Sequence, residues 1–272
     1  MRQPALFLPH GGGPCFFLNE NGPVPEPWRP MGDFLAHAIS GLRDRPRAIL
    51  VVSAHWEEPV FTVHKGERPG LLFDYGGFPP HTYQLRWDAP GAPDVAHRAA
   101  ALLQAAGFET GTEAQRGWDH GVFIPLKVAV PGADIPTAQL SLRAPRGAEA
   151  YDAGAHIAAG RALASLRDEG VLILGSGMSF HNMRLRDGSA QQAADRFDQA
   201  LTELVTDPDP DRRDAGLAHW ESLPEARVAH PPGQEDHLLP LMVIAGAAGT
   251  DKGEHIFRDR VIGWTVSAYR FG

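Results

Sequence analysis

Val171-Leu172-Ile173-Leu174, running on into Gly175-Ser176-Gly177-Met178-Ser179-Phe180-His181, is the stretch on which the fold turns. Four consecutive apolar residues between Gly170 and Gly175 are too few for a helix. They also lack the alternation of a half-exposed strand, so they predict a strand buried on both faces. The pattern recurs. Ala5-Leu6-Phe7-Leu8 leads through Pro9 to His10 and Gly11-Gly12-Gly13-Pro14, and Ala48-Ile49-Leu50-Val51-Val52 leads through Ser53-Ala54 to His55. Residues 135–142 alternate more and read as a further strand, and 261–269 as a last one.

Between these runs lie stretches with helical spacing: 31–42, 94–106 stopping at Gly107, an alanine-rich 149–168 stopping near Gly170, 191–205, 209–220, and 237–248, where Pro240 is tolerable only in a first turn. Strands alternating with helices predict an α/β fold with a central, mostly parallel or mixed sheet flanked by helices. No composition shift marks a boundary, so residues 1–272 are expected to form a single domain. The twenties up to Pro30, and 69–93, are too rich in Gly and Pro for regular structure; loops that long in a compact domain are usually functional.

The chain has 272 residues, 43% hydrophobic and 21% charged, which is ordinary globular usage and excludes disordered or collagen-like classes. A net charge of -8, from 25 basic and 33 acidic residues, argues against a nucleic-acid partner and against anionic membranes. The single cysteine, Cys15, rules out an intrachain disulfide and makes a cytoplasmic site of action the simplest expectation. No apolar stretch reaches the roughly 20 residues that span a bilayer, and the run before His10 is too short for a signal peptide. Without an exposed apolar stripe, a monomer or small homo-oligomer is expected.

In open α/β sheets, ligands bind beyond the carboxyl ends of the strands. Parallel strands ending at His10, His55 and His181 would bring three imidazoles to one sheet edge. A fourth, His237, stands at the start of the last helical stretch, and a fifth, His120, lies in Gly117-Trp118-Asp119-His120-Gly121, where glycine permits close approach. There is no compact zinc signature such as His-Glu-x-x-His. The residues alone leave open a metal site or a set of satisfied buried histidines.

Further segments are Asp74-Tyr75-Gly76-Gly77-Phe78-Pro79, Ala89-Pro90-Gly91-Ala92-Pro93, Ile135-Pro136-Thr137-Ala138-Gln139-Leu140-Ser141 and His237-Leu238-Leu239-Pro240-Leu241. Together with the strand-to-histidine motifs, and in this order from residue 4 to residue 241, the chain resembles the class III extradiol ring-cleavage dioxygenases, in particular the 4,5-DOPA dioxygenase family. The resemblance implies a metal site at the C-terminal strand ends, with His10, His55 and His237 as ligands and His181 as a fourth ligand or general base. His120 then falls on a second active-site histidine. It implies Fe(II) for ring cleavage, with Zn(II) able to occupy the site, and a small aromatic ortho-diphenol and O2 as substrates. His181 would accept a hydroxyl proton, and His120 would donate a hydrogen bond or proton. Two departures stand out: His10-Gly11-Gly12-Gly13-Pro14 is one residue longer than the family's usual His-Gly-Ser-Pro, and Phe73 replaces a frequent histidine. Both border the expected substrate pocket and bear on the choice of diphenol more than on the metal.

The remaining candidates carry plainer expectations. Glu57, Glu235 and Asp236 could supply a carboxylate but are expected as solvated groups or as partners of ligating imidazoles. Cys15 reads as a small buried thiol. Trp56, Phe78, Tyr83 and Trp118 could stack on an aromatic ring, although large aromatics mostly serve the core. Pro79-Pro80-His81 could cover the site. Lys127 and Arg184 could hold a substrate carboxylate, surface or structural roles being the default. His37, His97, His156 and His219, and the charged turn 207–214, are expected to face solvent. A zinc hydrolase using the same histidines, and a non-catalytic binding protein, are the competing readings.

Overall fold

In the computed structural model, which describes residues 1–147, 149–185 and 188–272, the three apolar runs pair with one another at the centre of one sheet. Strand β1 is Ala5–Pro9, β2 Ala48–Glu58, β3 Phe61–His64, β4 Thr110–Glu113, β5 Thr137–Arg143, β6 Val171–Gly177, β7 Gly253–Val261 and β8 Trp264–Phe271. Their order is β4-β3-β5-β2-β6-β1-β8-β7. β6 lies between β1 and β2 and is parallel to both, and β5 is parallel to β2. β3 and β8 join antiparallel at the two sides of this parallel centre. The sheet is therefore mixed, and every residue of β1 and β6 is buried, which is why those segments carry no polar alternation.

The helices are α1 Arg29–Ala38, α2 Pro93–Ala105, α3 His120–Ala129, α4 Ala153–Leu163, α5 Ser165–Asp168, α6 Gln191–Val205, α7 Pro210–Ala218, α8 Ala226–Ala229 and α9 Leu239–Ala248. Helices α3 and α9 cover opposite faces of β6. Gly175 lies against Pro240 and Ile244 of α9, while the Ser176 hydroxyl donates to the Gly121 carbonyl of α3; successive strand residues point to opposite faces. That bond also explains how Pro125 is tolerated inside α3. Proline has no N–H for the carbonyl four residues earlier, and that carbonyl, Gly121, takes the Ser176 hydroxyl instead.

Several elements differ from the sequence expectation. The stretch 149–168 forms α4 and α5 rather than one helix, and Asp152 sets the start by accepting from Ala155 N at 2.8 Å. β2 continues past Val52 through His55, with an irregularity between Val52 and Glu57. The last strand is the second arm of a hairpin, whose first arm, β7, is a charged edge strand. His156 does not face solvent: it is fully buried, donates Nδ1–H to the Asp152 carbonyl and accepts the Arg143 N–H. Burial lowers its pKa to about 4. Within 207–214, Arg213 and Asp214 are also buried, as an ion pair, and Arg213 donates to the Ala245, Gly249 and Asp251 carbonyls at the end of α9. Among the described residues, no helix is long and apolar enough to cross a membrane.

Candidate metal centre

The parallel centre of the sheet places the ends of β1, β2 and β6 side by side, and Gly177 joins two of the histidines there. Its carbonyl accepts the His10 N–H at 3.2 Å. A Cβ at Gly177 would lie 2.2 Å from the His237 carbonyl oxygen, so only glycine lets the chain before α9 pass this close. The Met178 N–H then donates to that same His237 oxygen at 3.0 Å. His55 is carried by β2, while His120 is the first residue of α3. Below them Gly121 packs where a Cβ would be 2.5 Å from Ser53 Oγ and 3.1 Å from His55 Cδ2. His181 follows β6 and is anchored through its N–H to the Ala229 carbonyl of α8.

The rings converge. Centroids of His10 and His55 are 4.8 Å apart, His10 and His237 5.1 Å, and His55 and His237 4.8 Å. One ring nitrogen from each of these three lies within 4.8 Å of the others. His181 stacks on His237 at 3.5 Å with an interplanar angle of 8°, and the ligand atoms of His181, Asp236 and His237 form a second close group. His120 lies against His55 with centroids 3.8 Å apart. The sequence-predicted histidines are thus all brought to one place, in the strand-end position expected.

Hydrogen bonds decide which nitrogens are free. His10 Nδ1 is 2.9 Å from the Gly11 carbonyl, which only accepts, so Nδ1 carries the proton and the lone pair is on Nε2. His237 Nδ1 pairs with the Asp236 carboxylate in the same sense. His10 Nε2 and His55 Nε2 are buried with no partner, as is His181 Nδ1. Each such nitrogen costs about 1–3 kcal/mol of desolvation, and a cation between the rings would remove that cost. Burial, followed by the neighbouring imidazoles, holds the His10 and His55 pKa values well below the ordinary histidine range. Burial and His237 push His181 down to about 2. These rings are therefore neutral, as metal ligands must be. Three converging imidazoles, two of them with buried unpartnered Nε2 atoms, fit a divalent transition metal.

Carboxylates brace the imidazoles from behind. Asp119 is fully buried and accepts from Ser53 Oγ at 2.7 Å, Gln139 at 2.6 Å and Arg116 at 3.2 Å; Arg116 also donates to the His55 carbonyl. Asp74 accepts from His120. Burial alone would raise the Asp74 and Asp236 pKa values, but bonds and charge from His120 and His237 respectively outweigh it and hold both low. Of the other candidate carboxylates, Glu57 pairs with the Tyr151 hydroxyl and Glu235 with Arg227.

The histidines form the floor of a cavity of about 880 Å³. Trp28, Tyr75, Phe78, Trp264, Ile262 and Leu18 supply its apolar wall, Met183 and Arg184 stand on its rim, and Gly11, Gly12 and Gly13 leave one side bare. Of the aromatics read as stacking candidates, only Phe78 reaches it. Trp118 is packed against His64, Trp56 is buried, and Tyr83 stands behind Tyr75. Nothing in the sequence marks Trp28 and Trp264 as wall residues, because a lone aromatic carries no spacing signal, and Tyr75 is marked only by its place in the Asp74–Pro79 segment. Phe73 packs on Tyr75, Tyr83 and Phe123 behind the wall, whereas the lengthened glycine motif lines the cavity directly. Cys15 also lines it, with its thiol pKa pushed up by burial. Arg184 lines the cavity, whereas the Lys127 ammonium donates to the Arg86 carbonyl, the structural role that is its default expectation. His81 donates Nε2–H to the Phe17 carbonyl, tying the 79–81 turn to the loop after Cys15.

A family model described as the catalytic LigB subunit of aromatic ring-opening dioxygenase matches residues 4–269. The chain belongs to this family. As a LigB-family chain it is similar, at 38% identity over 99% of its length and 85% of the relative, to a dioxygenase of Hapsidospora irregularis named tasH. It is 37% identical to 4,5-DOPA dioxygenase extradiol of Beta vulgaris over 84% of this chain and 83% of that one. It is 34% identical to the Escherichia coli K12 protein of the same name over 90% and 85%. Among solved structures, an uncharacterized protein of Escherichia coli K12 superposes with a TM-score of 0.76 at 28% identity, each chain covered completely. All five cavity histidines fall inside the matched region.

Proposed function

We propose that this LigB-family protein opens the ring of a small ortho-diphenol with O2, using Fe(II) held by His10, His55 and His237. The observation that carries the reading is the pair of buried, unpartnered Nε2 atoms of His10 and His55 meeting His237 at the floor of an aromatic-walled cavity. Bound there, Fe(II) would supply a redox-active Lewis acid for the diphenol and dioxygen.

The chain supplies the rest. Trp28, Tyr75, Phe78 and Trp264 form an apolar wall on which a diphenol ring stacks. His181 and His120 are the cavity imidazoles outside the ligand trio, and hydrogen bonding or proton exchange with the diphenol hydroxyls falls to them. Arg184 places a guanidinium at the rim, where it selects diphenols with an anionic substituent.

The all-imidazole trio is also the donor set of three-histidine zinc sites, which favours zinc hydrolysis as the second reading. Apo protein loaded under argon with Fe(II) or Zn(II) and then given diphenols and air separates the two. Oxygen uptake with a yellow ring-opened product in the iron sample alone is expected. Iron-loaded protein that binds diphenols yet consumes no oxygen would overturn the proposal.

A further inference from the structure

We propose that Asp74 is a positioning residue: its carboxylate fixes His120 as the Nδ1–H tautomer and turns Nε2 toward the cavity. Asp74 lies in a different part of the chain, but its loop is pinned beside His120. Leu72 N–H donates to the Trp118 carbonyl at 2.7 Å, Trp118 N–H donates to the Gly70 carbonyl at 2.8 Å, and Asp74 N–H closes a turn on Leu72 at 3.0 Å. The residue before α3, Asp119, makes no capping bond with its side chain, because that carboxylate is turned inward to Ser53, Gln139 and Arg116. Asp74 takes the vacant place at the positive end of the helix.

One oxygen, Oδ1, accepts both the His120 backbone N–H at 2.9 Å and its ring Nδ1–H at 2.8 Å. The first bond ties the carboxylate to the helix, and the second ties the ring to the carboxylate. An ionised carboxylate only accepts, so whenever the ring holds a single proton that proton sits on Nδ1. Nε2 then offers a lone pair to a substrate hydroxyl, and donates there only when the ring is doubly protonated. The other oxygen, Oδ2, is 3.8 Å from His55 Nδ1, too far for a hydrogen bond. Ligand atoms of His55, Asp74 and His120 lie within 4.8 Å of one another, but a metal held through Oδ1 and His120 Nδ1 would need the Nδ1 proton expelled and the Oδ1–Nδ1 bond broken. The catalytic consequence rests on the ring-cleavage reading; the tautomer does not.

Long-range 1H–15N correlation spectra of Zn(II)-loaded, 15N-histidine-labelled protein read the tautomer, with His120 assigned by His120→Gln. Wild type is expected as Nδ1–H and Asp74→Ala as mainly Nε2–H. Asp74→Asn is expected to remain Nδ1–H, because the backbone N–H at the same oxygen selects the amide carbonyl over its NH2. With Fe(II), Asp74→Ala should lose about 100-fold in kcat, in the range of a displaced acid–base group, with KM within about twofold, and Asp74→Asn should recover much of that loss. Retention of Nδ1–H or of kcat in Asp74→Ala would overturn the proposal, as would a second Zn(II) equivalent that disappears in that variant. Should Asp74→Ala not fold, Nε2–H in Asp74→Asn would overturn it equally. Absence of ring cleavage by wild type defeats the functional reading and leaves the tautomer result standing.

Discussion

Replacing His10 by Gln should separate what the metal does for stability from what the imidazole does. In the metal-free protein, His10 Nε2 is a buried nitrogen without a partner, while Nδ1 serves the Gly11 carbonyl. A glutamine amide can keep a donor for that carbonyl, but its own Oε1 then takes the place of the orphan nitrogen. An unpaired buried acceptor costs about 1–3 kcal/mol in either protein, so the two costs largely cancel and apo stability should change by only about 1 kcal/mol. With metal the balance reverses. An ion at a hundred times its Kd stabilises wild type by about 2.7 kcal/mol. At roughly 2–4 °C per kcal/mol for a chain of this size, that is a rise in Tm of about 5–10 °C. His10→Gln should lose most of that rise. Calorimetry of both proteins under argon, with chelator and then with Fe(II) or Zn(II), measures all four states. Equal metal-induced rises in the two proteins would refute the assignment of His10 Nε2 as a ligand, and no rise in wild type would refute the site.

Three further outcomes follow from the same structure. His156 is fully buried, with its pKa lowered to about 4 from an ordinary 6.5. The unfolded chain therefore takes up the proton first, and stability falls as pH drops from about 6.5 toward 4, by up to about 3 kcal/mol for this residue; denaturant melts of His156→Gln should show a shallower fall over that window, and an unchanged slope would exclude the residue as the cause. Gly177→Ala places a methyl 2.2 Å from the His237 carbonyl oxygen, so it should destabilise by about 1–3 kcal/mol and weaken metal binding in a titration, both of which a wild-type result would contradict. Arg184→Gln should raise KM about tenfold for a carboxylate-bearing diphenol, the worth of one charge-assisted hydrogen bond, and leave KM for unsubstituted catechol unchanged; equal effects on both would remove Arg184 from substrate selection.

The sequence exposes those parts of this molecule whose environment is uniform. β1, β6 and the first half of β2 are covered on both faces, so their composition betrays them. The histidines that follow them can be read as one site because parallel strands share an exit edge. β3 and β4 are four residues each, and β7 is a charged edge, so none carries an apolar run. Helix α3 is buried nearly all round and holds Pro125, which erases both the amphipathic stripe and the usual helix-former pattern. The aromatic wall and the carboxylates behind the histidines depend on contacts across long stretches of chain. Asp74 bonds a residue 46 positions away and Asp119 reaches Ser53 across 66. The one available signal for Asp74 is that it heads the Asp74–Pro79 segment on which the family resemblance partly stands.

The most direct test of a shared ion is anomalous diffraction at the iron edge from crystals loaded with Fe(II) under argon. A single strong peak about 2.1 Å from Nε2 of His10, His55 and His237, a bond length typical of metal–imidazole contacts, is the expected result. A peak elsewhere, or none at full iron occupancy in solution, would contradict it.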